Sequence, residues 1–200
     1  MRDTAESIHR PGSDVIAVVP MEEAQTDAII ELWSERFGCD RDTARGWLDD
    51  SLSEDLPTET FVARDHGTLV GFGVCTVVGP EYIQDYIGLD VPGFEPWEKT
   101  GLLHMLAVRE DRENEGIGSR LVANRLRYLI QVQGVDGVVG TSWHREDAPD
   151  SRLLFEKFGF EELAEFERYY SRTHGRGNCP CEVCDGACEC TASIYARSIA

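Results

Sequence analysis

One short unit near the middle of the chain constrains the fold more than any other. Residues 102–108, LLHMLAV, are apolar enough for a buried strand, and residues 109–115, REDRENE, form a charged loop. Gly116-Ile117-Gly118 then opens a segment reaching residue 133, in which Ile117, Leu121, Val122, Leu126, Leu129 and Ile130 share one helical face. Glycines at a helix start let a ligand approach the backbone closely. The unpaired N–H groups and the positive end of the helix dipole there favour phosphate. The unit therefore reads as a phosphate cradle between a strand and an amphipathic helix. A dinucleotide fingerprint would need a third glycine where Leu121 stands, and no Gly-Lys-Ser/Thr follows, so the Rossmann and P-loop readings both fail.

The surrounding segments alternate in period. Residues 15–19 read as a strand closed by Pro20, and residues 21–37 carry apolar side chains at helical spacing up to Gly38. A second short helix fits 42–52, before Pro57. Residues 60–64 and 68–78 are rich in Val, Phe and Thr and are joined by Asp65-His66-Gly67, a hairpin signal. An irregular stretch, 79–99, holds Tyr82, Tyr86, Phe94 and Trp97, which read either as a lid or acceptor wall or as plain hydrophobic cover. Beyond the central unit come strand 137–142, helix 150–157 and strand 160–166. This order defines an α/β (α+β) fold, a three-layer α-β-α sandwich around one mixed sheet. The expected organisation is a flexible tail at 1–13, one domain at 14–172 and a Cys-rich segment with a terminal strand at 173–200.

Charge narrows the partners. A net charge of −18 and a pI near 4.6 make nucleic acid and anionic membrane poor partners, because the phosphate interaction is repulsive. The basic residues are seventeen Arg and only Lys99 and Lys157, against 37 Asp and Glu. That imbalance resembles proteins of salt-in halophiles, where concentrated salt screens self-repulsion. The opening residues MRDTAESIHR lack an apolar signal region, and no apolar run is long enough to span a bilayer. A soluble, cytoplasmic protein is expected, with a homodimer left open.

The segment Met105 to Ser119, MLAVREDRENEGIGS, resembles the GNAT superfamily of N-acetyltransferases. The family's apolar-apolar-Val strand end corresponds to Leu106-Ala107-Val108, and its Gln/Arg-x-x-Gly-x-Gly/Ala loop to Glu113-Asn114-Glu115-Gly116-Ile117-Gly118. A second motif, aromatic-Glu-Lys-x-Gly-Phe, matches Phe155-Glu156-Lys157-Phe158-Gly159-Phe160 at the right separation. The resemblance covers roughly residues 14–172 in element order. It implies a mostly antiparallel sheet and direct acyl transfer from acetyl-CoA to an amine. It also implies that main-chain groups of Leu106, Ala107 and Val108 pair with pantetheine. By the same resemblance, the amides of Asn114, Glu115, Gly116, Ile117, Gly118 and Ser119 hold the pyrophosphate. An extended ligand adding to a strand gains backbone hydrogen bonds, and amides can stabilise charge developing on a thioester carbonyl.

Three positions depart from the family pattern. Glu113 stands where Gln or Arg is usual and Glu115 adds a second carboxylate, so both are expected to repel CoA phosphates at low salt. Phe155 replaces the tyrosine that many members use as general acid, and phenylalanine has no proton to give. An Asn common before that helix has no clear counterpart in residues 146–150. The candidate bases are His104, whose ordinary pKa of about 6.5 suits proton uptake, and Glu98. Tyr128, Tyr169 and Tyr170 are further acid candidates or core residues.

Residues 179–190, CPCEVCDGACEC, hold five of the seven cysteines. In an unexported protein such density reads as a metal site rather than disulfides, and four thiolates suit tetrahedral zinc. Cys181, Cys184, Cys188 and Cys190 are the expected ligands, with Asp185-Gly186 turning between the pairs and Cys179 left out. A full thiolate shell makes the zinc structural, serving to return residues 192–197 to the sheet. Two functional readings stand: an acyl-CoA-dependent N-acyltransferase, and a catalytically impaired acyl-CoA-binding, metal-sensing module on the same scaffold.

Overall fold

The computed structural model of the protein describes residues 16–52, 55–144, 151–172, 184 and 188–199. Its strands are β1 (Ala17–Pro20), β2 (Thr58–Asp65), β3 (Thr68–Val78), β4 (Thr100–Val108), β5 (Gly137–Trp143), β6 (Glu161–Phe166) and β7 (Ala192–Ser198). The helices are α1 (Thr26–Phe37), α2 (Arg41–Ser51), α3 (Pro80–Ile87), α4 (Ile117–Arg127), α5 (Arg152–Lys157) and α6 (Tyr169–Arg172). A π-type turn, Tyr128–Gln133, prolongs α4 until Gly134 ends it in the left-handed region. The expected strand 15–19 begins at Ala17, with residue 15 outside the described residues. Among the described residues no helix is long and apolar enough to cross a membrane.

All seven strands join in one sheet, β1-β2-β3-β4-β5-β7-β6. Every neighbouring pair is antiparallel except β4 with β5. This is the mixed, mostly antiparallel sheet expected. The last strand of the chain, β7, lies inside the sheet between β5 and β6, so the segment after α6 ends in the core. Side chains alternate between the two faces. Leu103, Val138 and Tyr195 pack with Ile117, Leu121 and Phe155 of α4 and α5. On the other face, Phe72 and Val74 meet α1 and α2, while Leu102, Val139 and Ile194 meet Ile83 and Ile87 of α3. Three layers result.

Local chemistry explains the boundaries. Asp40 caps α2 by accepting from the Thr43 backbone N–H at 2.8 Å. His66 and Gly67, with φ of 48° and 87°, form the two-residue loop of the β2–β3 hairpin, where successive positive φ match the strand twist. The stretch 79–99 contains a helix, α3, that its irregular apolar pattern does not announce. Its signals are local: Pro80 fits the first helical position, and Gly88 at φ 67° supplies the left-handed stop.

Two irregularities shape β4. Against β3, Gly73 pairs with Leu106 and Cys75 with Leu103, so Val74 faces both His104 and Met105 in a bulge. Against β5, pairing runs only from Thr100 with Gly137 to Leu103 with Gly140. From His104 onward, β4 has no strand partner on that edge among the described residues.

Candidate active site

After the parting of β4 from β5, residues 104–108 lie on an edge with no strand pairing among the described residues, while Gly71, Phe72 and Gly73 of β3 pair with Val108, Ala107 and Leu106 on the other. A free strand edge can accept an extended ligand through main-chain hydrogen bonds. The N-terminus of α4 lies on the same segment of chain, one loop further on. Asn114 and Gly116 both have positive φ, 63° and 77°. Gly116 is needed for that conformation, since a Cβ there would meet nothing within 4 Å. Gly118 has a different reason: a Cβ would press on Leu154 of α5 at 3.3 Å. The first helical bond runs from the Arg120 N–H to the Gly116 carbonyl. The N–H groups of Ile117, Gly118 and Ser119 therefore have no acceptor within the helix.

A cation reaches this helix end from α5. The Nζ of Lys157 donates to Ser119 Oγ at 2.9 Å. The sequence marked Lys157 as part of the Phe155–Phe160 motif and as one of two lysines in the chain, without assigning its side chain a role at the cradle.

The two loop carboxylates expected to repel CoA phosphates both carry arginine partners. Glu113 pairs with Arg36, in the last turn of α1. Each side chain is about one-fifth exposed, at 21% and 18%. Arg112 forks onto Glu115 through Nε and Nη2, at 2.8–3.0 Å, and its Nη1 donates to Asp65 at 2.7 Å. Hydrogen bonding from Arg112 holds the Glu115 carboxyl below its ordinary pKa. Charge pairing thus offsets much of the repulsion at the mouth of the cradle. The Arg36 contact spans 77 residues of sequence, which no local pattern could reveal.

His104 is the first residue of β4 beyond the last pair with β5. Its ring is half-buried, with Nδ1 3.2 Å from Ser51 Oγ at the end of α2. The Tyr86 ring of α3 lies 5.8 Å away. Glu98 is exposed in the loop before Thr100, at the closed end of the β4–β5 pair. Roughly 13 Å of strand separates Thr100 from His104, so the two candidate bases are not brought together.

Beneath the bulge lies Arg125, 2% exposed. Its Nη1 donates to the carbonyls of Val74 and Met105, both at 3.1 Å. Gly73 makes room, because a Cβ there would stand 3.0 Å from Arg125 Nε. Burial lowers the Arg125 pKa to about 10 and pushes the neighbouring Cys75 thiol up to about 12.

The tyrosine candidates diverge. Tyr128 accepts from Gln133 Nε2 at 2.8 Å and packs edge-on to Phe61, on the α4 face. Tyr169 donates to the Ile87 carbonyl at 2.9 Å and is core. Tyr170 meets Trp143, the last residue of β5, at 5.4 Å, and burial raises its pKa well above the ordinary tyrosine value. Of the three, only Tyr170 borders the open end of β5. Of the expected acceptor-wall aromatics, Tyr86 faces His104, while Trp97 covers Gly137 at the closed end.

Three of the four expected metal ligands converge. The sulfurs of Cys184, Cys188 and Cys190 all lie within 4.8 Å of one another, and Cys181 lies outside the described residues.

A family model described as Acetyltransferase (GNAT) family matches residues 26–160, and the chain belongs to that family. The match takes in β4, the glycine turn, α4 and α5, and stops before the cysteine cluster and β7. Solved structures share the fold. The ribosomal-protein-S18-alanine N-acetyltransferase of Escherichia coli is 19% identical with a TM-score of 0.61, over 93% of this chain and 95% of that one. A chain of the NatC complex bound to Gag peptide and CoA is also 19% identical, with a TM-score of 0.61, over 92% and 99%. Ard1 from Thermoplasma volcanium is 16% identical with a TM-score of 0.59, over 92% and 97%. No curated protein matches the chain.

Proposed function

We propose that the protein transfers an acyl group, acetyl in the first instance, from acyl-CoA to an amine. The observation that carries this reading is the parting of β4 from β5 after Leu103, beside a glycine-opened helix N-terminus. In this reading the pantetheine arm lies along Leu106, Ala107 and Val108. The pyrophosphate rests on the amides of the loop from Asn114 through Glu115, Gly116, Ile117 and Gly118 to Ser119, with Lys157 adding a positive charge. His104 takes the proton from the incoming ammonium, directly or through a water. The freed amine attacks the thioester carbonyl carbon, the C–S bond breaks, and CoA leaves as a thiolate that takes up the proton shed by the attacking nitrogen as it becomes an amide. Backbone amides beside the carbonyl lower the cost of its developing negative charge. Glu98 would serve as base only for an amine approaching from the closed end of the strand pair.

Two of the similar solved structures, from Brucella melitensis and Escherichia coli, are named as ribosomal-protein-alanine N-acetyltransferases, which supports an amine acceptor without choosing one. The strong negative charge supports a cytoplasmic enzyme that works in concentrated salt and engages neither nucleic acid nor anionic membrane. The C-terminal thiols fit a structural zinc held by Cys184, Cys188 and Cys190 with Cys181 as the fourth ligand.

The test is thiol release from acetyl-CoA across a panel of amines in molar KCl, with mass spectrometry of the products. Amine-dependent release with a 42 Da gain on the acceptor, the acetyl-for-hydrogen difference of roughly that mass, is the expected result. CoA binding without release from any amine would favour the impaired binding module.

A further inference from the structure

The three thiols of Cys184, Cys188 and Cys190 precede β7 and lie close together. The sulfurs of Cys184 and Cys190 are 3.7 Å apart. A disulfide would bring them to about 2.05 Å. Two thiolates each about 2.3 Å from one tetrahedral zinc are about 3.8 Å apart. The separation is therefore that of two corners of a zinc tetrahedron, and Cys188 lies within 4.8 Å of both. The Glu189 N–H donates to Cys184 Sγ at 3.3 Å.

The same loop is bonded twice to α6 and once to Arg168, the residue before it. The Tyr169 N–H donates to the Cys190 carbonyl at 3.1 Å, Ser171 Oγ donates to the Cys188 carbonyl, and Arg168 pairs with Glu189 at 2.9 Å. From α6 two contacts run toward the open end of the strand pair. Tyr169 donates to the Ile87 carbonyl at the end of α3, whose Tyr86 faces His104. Tyr170 packs on Trp143.

We infer that Cys184, Cys188 and Cys190 form a thiolate zinc centre that positions α6, and through it Tyr170 and Tyr86, as the wall against which the acceptor amine binds. The second half of this inference rests on the acyltransferase reading. The first half does not. Zinc supplies what a loop of this composition lacks, a fixed point around which Cys188 and Cys190 hold their carbonyls toward α6. The residues named act on the amine through position, and none exchanges a proton or bond in this role.

The test compares the full-length protein loaded with zinc against the same protein stripped by chelator. Metal analysis should find one zinc per chain, lost in Cys184→Ser and Cys188→Ser. Amide exchange should quicken at Tyr169 and the end of α3 on stripping and stay unchanged in α4. With a reactive amine in hand, KM for the amine should rise about tenfold, while acetyl-CoA affinity moves less than about twofold, and returned zinc should restore both. Tyr170→Ala should raise the amine KM with zinc content intact. No bound zinc in the native protein overturns the metal centre. Zinc whose removal leaves exchange at α6 and α3 unchanged, or collapses CoA binding along with the amine KM, overturns the positioning role. A missing amine activity with zinc-dependent exchange at α6 and α3 would overturn the acyltransferase reading and leave the metal centre standing.

Discussion

The rings of Phe155 and Tyr195 lie parallel, 4° apart in plane and 4.7 Å between centroids. Phe155 holds the position where the family resemblance would place a tyrosine acid, yet its surroundings are core. It is 7% exposed and packs edge-on to Phe160. Its para carbon sits so close to β5 that a Cβ on Gly140 would lie 2.6 Å from it. The Tyr195 hydroxyl points away, donating to Glu162 at 2.8 Å.

A hydroxyl on that ring would therefore be pushed against the β5 backbone. Phe155→Tyr should cost about 1–3 kcal/mol of stability, read from the urea midpoint, for burying a polar group without a prepared partner. Turnover should not rise. A tenfold faster enzyme would mean that the site lacks an acid which this position can supply.

Arg36 is predicted to matter for the cofactor without touching it, by neutralising Glu113 beside the cradle. Arg36→Ala should weaken CoA binding about three- to tenfold in 0.1 M salt and by less than about twofold in 2 M KCl, where screening is nearly complete. Arg36→Ala with Glu113→Gln should recover the native affinity. Calorimetric titration at the two salt concentrations checks both statements, and a salt-independent loss would point to packing of α1 instead.

His104 stands where β4 leaves β5. His104→Ala should lower turnover about 100-fold or more, the usual scale of a lost general base, with acetyl-CoA affinity within about twofold of native. Ser51→Ala should fall between the two, because it removes only the Nδ1 contact. Unchanged turnover in His104→Ala would remove this residue from the mechanism.

Arg125 fixes the bulge through two carbonyls, one of them that of Met105. Arg125→Leu should lose about 2 kcal/mol, the lost charge-assisted bonds being partly offset by removing a buried charge. CoA affinity should fall with it as the strand edge relaxes. Native affinity at lowered stability would confine Arg125 to a structural role.

Local patterns announced much of this architecture. The patterns of 68–78 and 117–133 identified elements that the fold contains, 192–197 was expected as a terminal strand and forms β7, and Gly116-Ile117-Gly118 marked the start of α4. The helix α3 went unread because its amphipathic stripe is only two buried isoleucines, Ile83 and Ile87. Charge compensation at the cradle was invisible for a different reason. Glu113 and Glu115 advertise repulsion in sequence, while Arg36 reaches Glu113 from α1 and Asp65 of β2 helps hold Arg112, the partner of Glu115. The bulge was equally hidden, since Val74, Met105 and Arg125 meet only once three elements are packed. Composition singled out the cysteines of 179–190, and only the fold sets Cys188 and Cys190 against α6.

The most direct measurement is amide exchange with and without saturating CoA in 2 M KCl. Slowed exchange at residues 104–108 on β4 and at Ile117, Gly118 and Ser119, with α2 and β1 unchanged, is the expected pattern. CoA that binds and protects some other surface, leaving those amides as fast as in the free protein, would contradict the strand-edge and helix-terminus site.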